Sequence, residues 1–503
     1  MRRPGGPWYV RAVSAAPPLS TQVNRGVAWA GASQTIIALT DLVSQMVVLA
    51  VWVSAYDFGV AMLAYTLYTL LDTAADLGVT SSLIQRDDHT PEKVSTVFWF
   101  NVFISTGLFL LLLVAGPLYG AFQEHEVVGW LLIAYGGKLL FQNTYAIPFA
   151  LLRKQLRFDE IAKLRTVAHV GESIGRIVFA ALGATVWCFT LAALTRAFLF
   201  GVLMQARHPF VPKLVFRPRE VAEYIRFGVR AAASQIIYRV YISMDVVIVG
   251  QLFGAVATGI YSLAQQIVLE AVRTITNVVS DVAFPTFARL RHDRERLADQ
   301  FVRFTRLNLV AVLPFLVLVV LVIPEFLTTF YRNKWSPAEL EVTATATRIL
   351  CLTGVLRALG FLGPQLLDGI GRPDLTLRYQ SFAAVFVPGG FLACGWLLGR
   401  TLGGPVSIAL AWSLVYPVAF GVLGYLVVVS IRLPLGRYLR ACWGIVACCA
   451  AGLAAGGLVW PLVAGLGPAS RMVVEGGGAT IVMALLLAYW QDYGPRALIR
   501  SLK

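Results

Sequence analysis

The uncharged runs decide what this chain can be. From Val94 to Gln123 there is no Asp, Glu, Lys or Arg, and from Ala441 to Ser470 there is again none. A helix of ~20 such residues crosses the hydrocarbon of a bilayer. The remainder is of the same kind, with 58% of 503 residues apolar and 14% charged. So few charges cannot cover a soluble surface, and a disordered or collagen-like chain is not this apolar. The chain reads as an all-α polytopic membrane protein.

Fourteen apolar segments can be marked, at about 26–53, 58–84, 94–120, 127–151, 162–186, 188–206, 224–252, 256–284, 304–328, 342–369, 374–398, 402–430, 438–464 and 472–491. The Pro- and Gly-rich residues 1–24 before them read as a disordered cytoplasmic arm. The first segment is too long for a signal-peptide core and is expected to stay as a span. Of the 42 Lys and Arg, thirty fall on the arm, the even-to-odd loops and the C-terminus, against five on the opposite loops. Basic residues mark the cytoplasmic side, so both termini are expected there and the span count is even. Division of the basic residues among short loops argues against nucleic acid and for contact with membrane lipids.

The chain repeats itself after about 200 residues. Gly26–Ile37 recurs near Gly228–Ile237, and Ala32-Ser33-Gln34 matches Ala233-Ser234-Gln235. Gly59-Val60 matches Gly259-Ile260. The repeat covers six segments, an even number, so the copies run parallel. The expected architecture is two parallel six-helix lobes around a central cavity, 25–206 and 224–430. A cytoplasmic linker, 207–223, joins them, and 431–503 adds two helices and a tail.

Ionisable residues at membrane depth are costly and face protein or a watery cavity. Several lie at helical spacing. Tyr65, Tyr68, Asp72 and Asp76 share one face of the second segment. Gln266, Glu270, Arg273, Asn277 and Asp281 share one face of the eighth. Arg230, Ser234, Tyr238, Tyr241 and Asp245 align in the seventh, and Asp41 lies with Gln34 and Gln45 in the first. Lys138 aligns with Gln142 and Tyr145, and His169 with Glu172 and Arg176. Arg196 lies in the sixth segment. Arg230, Arg273, Lys138, Arg176 and Arg196 are candidates to hold an anionic head group. Tyr65, Tyr68, Tyr238, Tyr241 and Gln266 are candidates to contact sugar. Asp41, Asp72, Asp76, Glu172, Asp245, Glu270 and Asp281 are candidates for a coupling cation or proton. A competing reading makes Glu172–Arg176 and Glu270–Arg273 internal pairs with no ligand role.

No phosphate loop is present, and the six cysteines lack metal-ligand spacing with His. Neither an ATPase, a metal site nor another cofactor is expected. The cysteines read as small packing residues. Glu325, Glu339 and Glu341, on the longest external loop (about 325–341), read as solvated surface.

Five stretches resemble the polysaccharide and O-antigen transporter family of the multidrug/oligosaccharidyl-lipid/polysaccharide exporter superfamily. They are Ile147–Lys163, Gly259–Ile267, Val282–Leu297, Phe330–Ala338 and Gly369–Leu375. The resemblance spans about residues 20–430 and implies a flippase in the bacterial inner membrane. Such a protein moves an undecaprenyl-diphosphate-linked oligosaccharide by alternating access for export of exopolysaccharide, capsule or O-antigen. It implies secondary coupling to an ion gradient and partners that polymerise the repeat and regulate chain length. No residue role is carried over by these motifs. The alternatives are a cation-coupled small-molecule efflux transporter and a membrane-embedded sugar polymerase or glycosyltransferase.

Overall fold

A computed structural model describes residues 19–75, 83, 90–122, 126–155, 157–463 and 465–491, without the side chains of 19–28, 30, 74–75, 122, 220 and 223–234. The expected N-terminal arm up to residue 18 and the basic C-terminal tail from 492 lie outside the described residues.

All regular structure among the described residues is helical, as the hydropathy requires. Six helices come first: α1 (Leu19–Val51), α2 (Ala55–Ala75), α3 (Pro91–Phe122), α4 (Glu126–Lys154), α5 (Phe158–Ala181) and α6 (Cys188–Arg207). Next come α7 (Ala222–Gln265), a π-helical turn (Gln266–Glu270) and α8 (Ala271–Arg289). Then follow α9 (Arg294–Phe330), α10 (Pro337–Gly360), α11 (Leu362–Gly369), α12 (Pro373–Leu402) and α13 (Gly404–Ile431). The last two are α14 (Leu435–Val463) and α15 (Pro468–Trp490). Ten stretches are long and apolar enough to cross a membrane, one of them the whole of Gln235–Arg289. Length and hydropathy thus establish a multi-pass membrane protein and stop short of the full fourteen. Helices α2, α4 and α5 are not among the ten, and they carry polar stripes.

α7 is not one rod. Gly254 takes φ 80° and ψ −173°, outside the helical region. Gln265 and Tyr261 both reach back to the Asp245 carboxylate, at 2.9 and 2.7 Å. In a continuous helix, residues 20 apart are about 30 Å apart. The chain therefore reverses at Gly254, which only glycine accommodates without strain. The break falls between the seventh and eighth expected segments, 201 residues after Val53 at the α1–α2 turn.

By its contacts the chain forms two compact units, Met1–Val53 with Leu63–Arg239, and Ser54–Met62 with Val240–Lys503. In the first, α3 packs on α4, α4 on α6, α5 on α6 and α1 on α5. In the second, α9 packs on α10, α10 on α13 and α12 on α13. These repeat the α3–α4, α4–α6 and α5–α6 pairings, just over 200 residues on. Within the second unit, Ala55-xxx-Gly59 meets Ala255-xxx-Gly259. A Cβ on Gly59 would collide with the Ala255 carbonyl, and one on Gly259 with that of Ala55. Such small-residue pairs let helix backbones touch.

Helices α14 and α15 pack on each other and on α9. Cys442, Ile445, Cys448 and Cys449 of α14 share a core with Leu309 and Leu313 of α9 and Met483 of α15. All six cysteines are free thiols, and five are buried.

Two of the resembling stretches are turn devices. Ser336 and Glu339 cap α10 reciprocally, with Pro337 at its first position, and Tyr331 and Trp335 are buried beside the turn. Gly371 takes φ 80° just before Pro373 opens α12. The linker after α6 is pinned to α3. Trp99 donates to the Lys213 carbonyl (2.8 Å), the Lys213 amide to Ser95 (3.0 Å), and the Arg217 amide to Thr96 (3.2 Å). The Lys213 ammonium also meets Glu92 at 2.5 Å.

The external loop is shorter than expected. α9 continues to Phe330 and α10 starts at Pro337, so Glu325 lies inside α9 and is 9% exposed. It is not solvated surface, because the helix carries on past it for five more residues, to Phe330. Glu339 is spent on the α10 cap.

Candidate functional site: a charged seam on five helices

In the first unit, periodic polar residues from separate helices meet. α2 presents Tyr65, Tyr68 and Asp72 on one face. The Tyr68 hydroxyl donates to Asp72 at 2.8 Å. Tyr135 of α4 stacks on Tyr68, with centroids 4.9 Å apart, and lies 5.9 Å from Tyr65. One turn further along α4, Lys138 places its ammonium 4.7 Å from the centre of the Tyr68 ring. Tyr68, Tyr135 and Lys138 are buried, whereas Tyr65 is 42% exposed. Among the described residues no carboxylate forms an ion pair with Lys138.

Helices α5 and α6 add two ion pairs. Arg196 donates to Glu172 at 3.1 Å, and His169 stands 3.4 Å from the same carboxylate oxygen. Arg176 reaches α1, with Asp41 at 2.7 Å and Ser44 at 3.1 Å. The local Glu172–Arg176 pair is therefore not formed. Each partner instead pairs with a group on a facing helix. Both Glu172 and Arg176 are buried.

The seam thus holds three cations and three carboxylates. Two of each are matched to one another. Lys138 and Asp72 remain, joined only through Tyr68. A buried ammonium resting on an aromatic face attracts an anion strongly, since little solvent screens it.

The second unit carries a different cluster. Asp245 is fully buried. Its carboxylate accepts Tyr261 (2.7 Å), Gln265 (2.9 Å), Trp412 (2.9 Å) and the Val246 amide (2.8 Å). Arg357 of α10 lies 4.0 Å from the Trp412 ring centre, and Tyr241 packs against the same indole. The sequence pointed to Asp245 and Tyr241. It did not single out Tyr261, Gln265, Trp412 or Arg357 as their partners, because Trp412 stands in an unbroken apolar run and Arg357 belongs to no stripe.

Glu270 and Arg273 pair at 2.6 Å, as the competing reading expected. Gln266 donates to the Met62 sulfur at 3.3 Å. Asp281 is exposed and Tyr238 half-buried. Asp76 lies outside the described residues, as does the side chain of Arg230. No group of three metal-ligating side chains occurs among the described residues.

Long apolar helices that bury charged and polar side chains define a multi-pass membrane protein. The chain belongs to the family described as polysaccharide biosynthesis protein, which it matches over residues 48–340. It is 26% identical over 430 residues to the teichuronic acid biosynthesis protein TuaB of Bacillus subtilis (84% of this chain, 86% of the relative). It is 25% identical over 404 residues to the lipopolysaccharide biosynthesis protein WzxC of Escherichia coli (78% and 77%). Its fold is that of the lipid II flippase MurJ in an inward closed conformation, with TM-score 0.66 at 14% identity over 93% of this chain and 99% of that one. An inward-facing multidrug resistance MATE family transporter of the MOP superfamily matches at TM-score 0.61 and 18% identity (79% and 96%).

Proposed function

We propose that this protein flips an undecaprenyl-diphosphate-linked oligosaccharide across the bacterial inner membrane, for export of a surface polysaccharide. The observation that carries this reading is Lys138, a buried ammonium on a tyrosine face with no carboxylate of its own among the described residues. A diphosphate would give Lys138 the direct ion pair that Asp72, held on the Tyr68 hydroxyl, does not make, and the half-exposed Tyr65 ring offers a face to sugar. The names of the relatives support it, since they concern the making of teichuronic acid and lipopolysaccharide.

The cycle follows from the charges. Diphosphate binding to Lys138 neutralises it and draws on Arg196, which Glu172 holds in place. Asp72, tied to Lys138 through Tyr68, takes up a proton or cation when the diphosphate leaves, and so couples release to an ion gradient. Asp245, with its four donors, serves the fold of the second unit. The protein is read as a transporter and not an enzyme, with both termini cytoplasmic. Arg230 and Arg273 remain secondary candidates.

Small-molecule efflux is the second reading, favoured by the MATE-like fold. A deletion strain separates the two. The flippase reading expects lipid-linked repeat units to accumulate on the cytoplasmic face, with unchanged susceptibility to cationic drugs. Drug hypersensitivity without accumulation would establish efflux instead.

A further inference from the structure

A second set of ionisable groups lies far along the chain from those of the seam. Helices α9, α10, α14 and α15 line a half-open cavity of about 470 Å3 within the second unit. Glu325 of α9 and Glu475 of α15 line it. Glu475 is 1% exposed and Glu325 is 9% exposed. Each has a buried carboxylate oxygen with no hydrogen-bond partner. Two buried acceptors left unmatched at membrane depth are expensive, and each needs a donor. Arg348 lies on the same wall, with its Nε held on the Val320 carbonyl at 3.1 Å. The Trp460 indole, 52% exposed, also lines the cavity, and Gly457 contributes no side chain.

We propose that this cavity binds the head group of an aminophospholipid. The primary ammonium would donate to Glu325 and Glu475, and the phosphate would lie on Arg348. An ammonium carries three donors, which suits two carboxylates, and a guanidinium suits a phosphate. A bare metal ion fits poorly. Hard cations take six or more oxygens at short range, and the cavity has the volume of a small-molecule site. Its walls are largely apolar side chains on membrane helices, which places acyl chains beside the head group. An exposed indole is the side chain expected where head groups meet hydrocarbon. The site is independent of the flippase reading, and its test requires no transport.

The test is native mass spectrometry on the purified, delipidated full chain. It is titrated with phosphatidylethanolamine, phosphatidylcholine and phosphatidylglycerol of identical acyl chains. Phosphatidylethanolamine is expected to bind at least tenfold tighter than the other two, since one lacks N–H donors and the other lacks the cation. Glu475→Gln should remove that preference while phosphatidylglycerol binding stays unchanged. Gly457→Phe should do the same by filling the cavity. A Cβ at Gly457 meets nothing within 4 Å, so this variant keeps the test valid if Glu475→Gln fails to fold. Equal binding of the three lipids, or an undiminished preference in Gly457→Phe, overturns the proposal. Soluble phosphoethanolamine binding as tightly as the lipid overturns the lipid assignment.

Discussion

Replacing Lys138 with Ala is expected to cut surface polysaccharide at least tenfold, with the lipid-linked precursor accumulating in the membrane. A hydrogen bond to a charged group contributes about 1.5–3 kcal/mol, which corresponds to roughly 10- to 100-fold in binding. Lys138→Arg keeps the charge and should keep more export than Lys138→Ala. Stability should move the other way. Lys138 is buried against an aromatic face with no direct ion pair among the described residues, so the fold bears the cost of burying its charge. Lys138→Met should therefore melt at or above the parent temperature in detergent while losing export. A Lys138→Met protein that exports normally, or one that fails to fold, would contradict the role given to this residue.

Asp245→Ala is expected to have the opposite signature, loss of the folded protein itself. Its removal leaves Tyr261 and Gln265 without their acceptor, while Trp412 keeps only the Tyr261 hydroxyl, at 2.9 Å. Each buried donor so stranded costs about 1–3 kcal/mol, and the two together should cost about 2–5 kcal/mol. Monodisperse protein should largely disappear on size-exclusion chromatography. Asp245→Asn keeps one acceptor oxygen and should fall between. If Asp245→Asn melts like the parent but loses transport, Asp245 belongs to ion coupling and not to the fold.

Both effects trace to how the sequence encodes the two units. Periodicity was enough to put Tyr65, Tyr68 and Asp72 on one face, because helical spacing fixes direction from the axis. It also placed Lys138, since a cation inside an apolar span has to face protein. Pairing was less legible. Glu172 and Arg176 satisfy the local rule for an ion pair, yet they are claimed by Arg196, 24 residues away, and by Asp41, 135 residues away. A local spacing rule cannot weigh a partner that only the fold brings near. Glu325 was misjudged for a related reason. A carboxylate near the end of an apolar run looks like loop, until the helix is seen to continue to Phe330. The repeat is legible as sequence, and three helix pairings recur between the units. Gly254 carried no such signal, for one glycine among 44 does not announce a chain reversal.

The flippase claim meets its most direct test in proteoliposomes. The purified protein would be reconstituted with an undecaprenyl-diphosphate-linked oligosaccharide labelled on its sugar, and the label exposed on the outer leaflet followed by membrane-impermeant quenching. The parent should move the label across within minutes under an imposed ion gradient, and Lys138→Ala should leave it at the rate of protein-free vesicles. Equal rates in parent and protein-free vesicles, with the protein shown to be folded and inserted, would contradict the assignment.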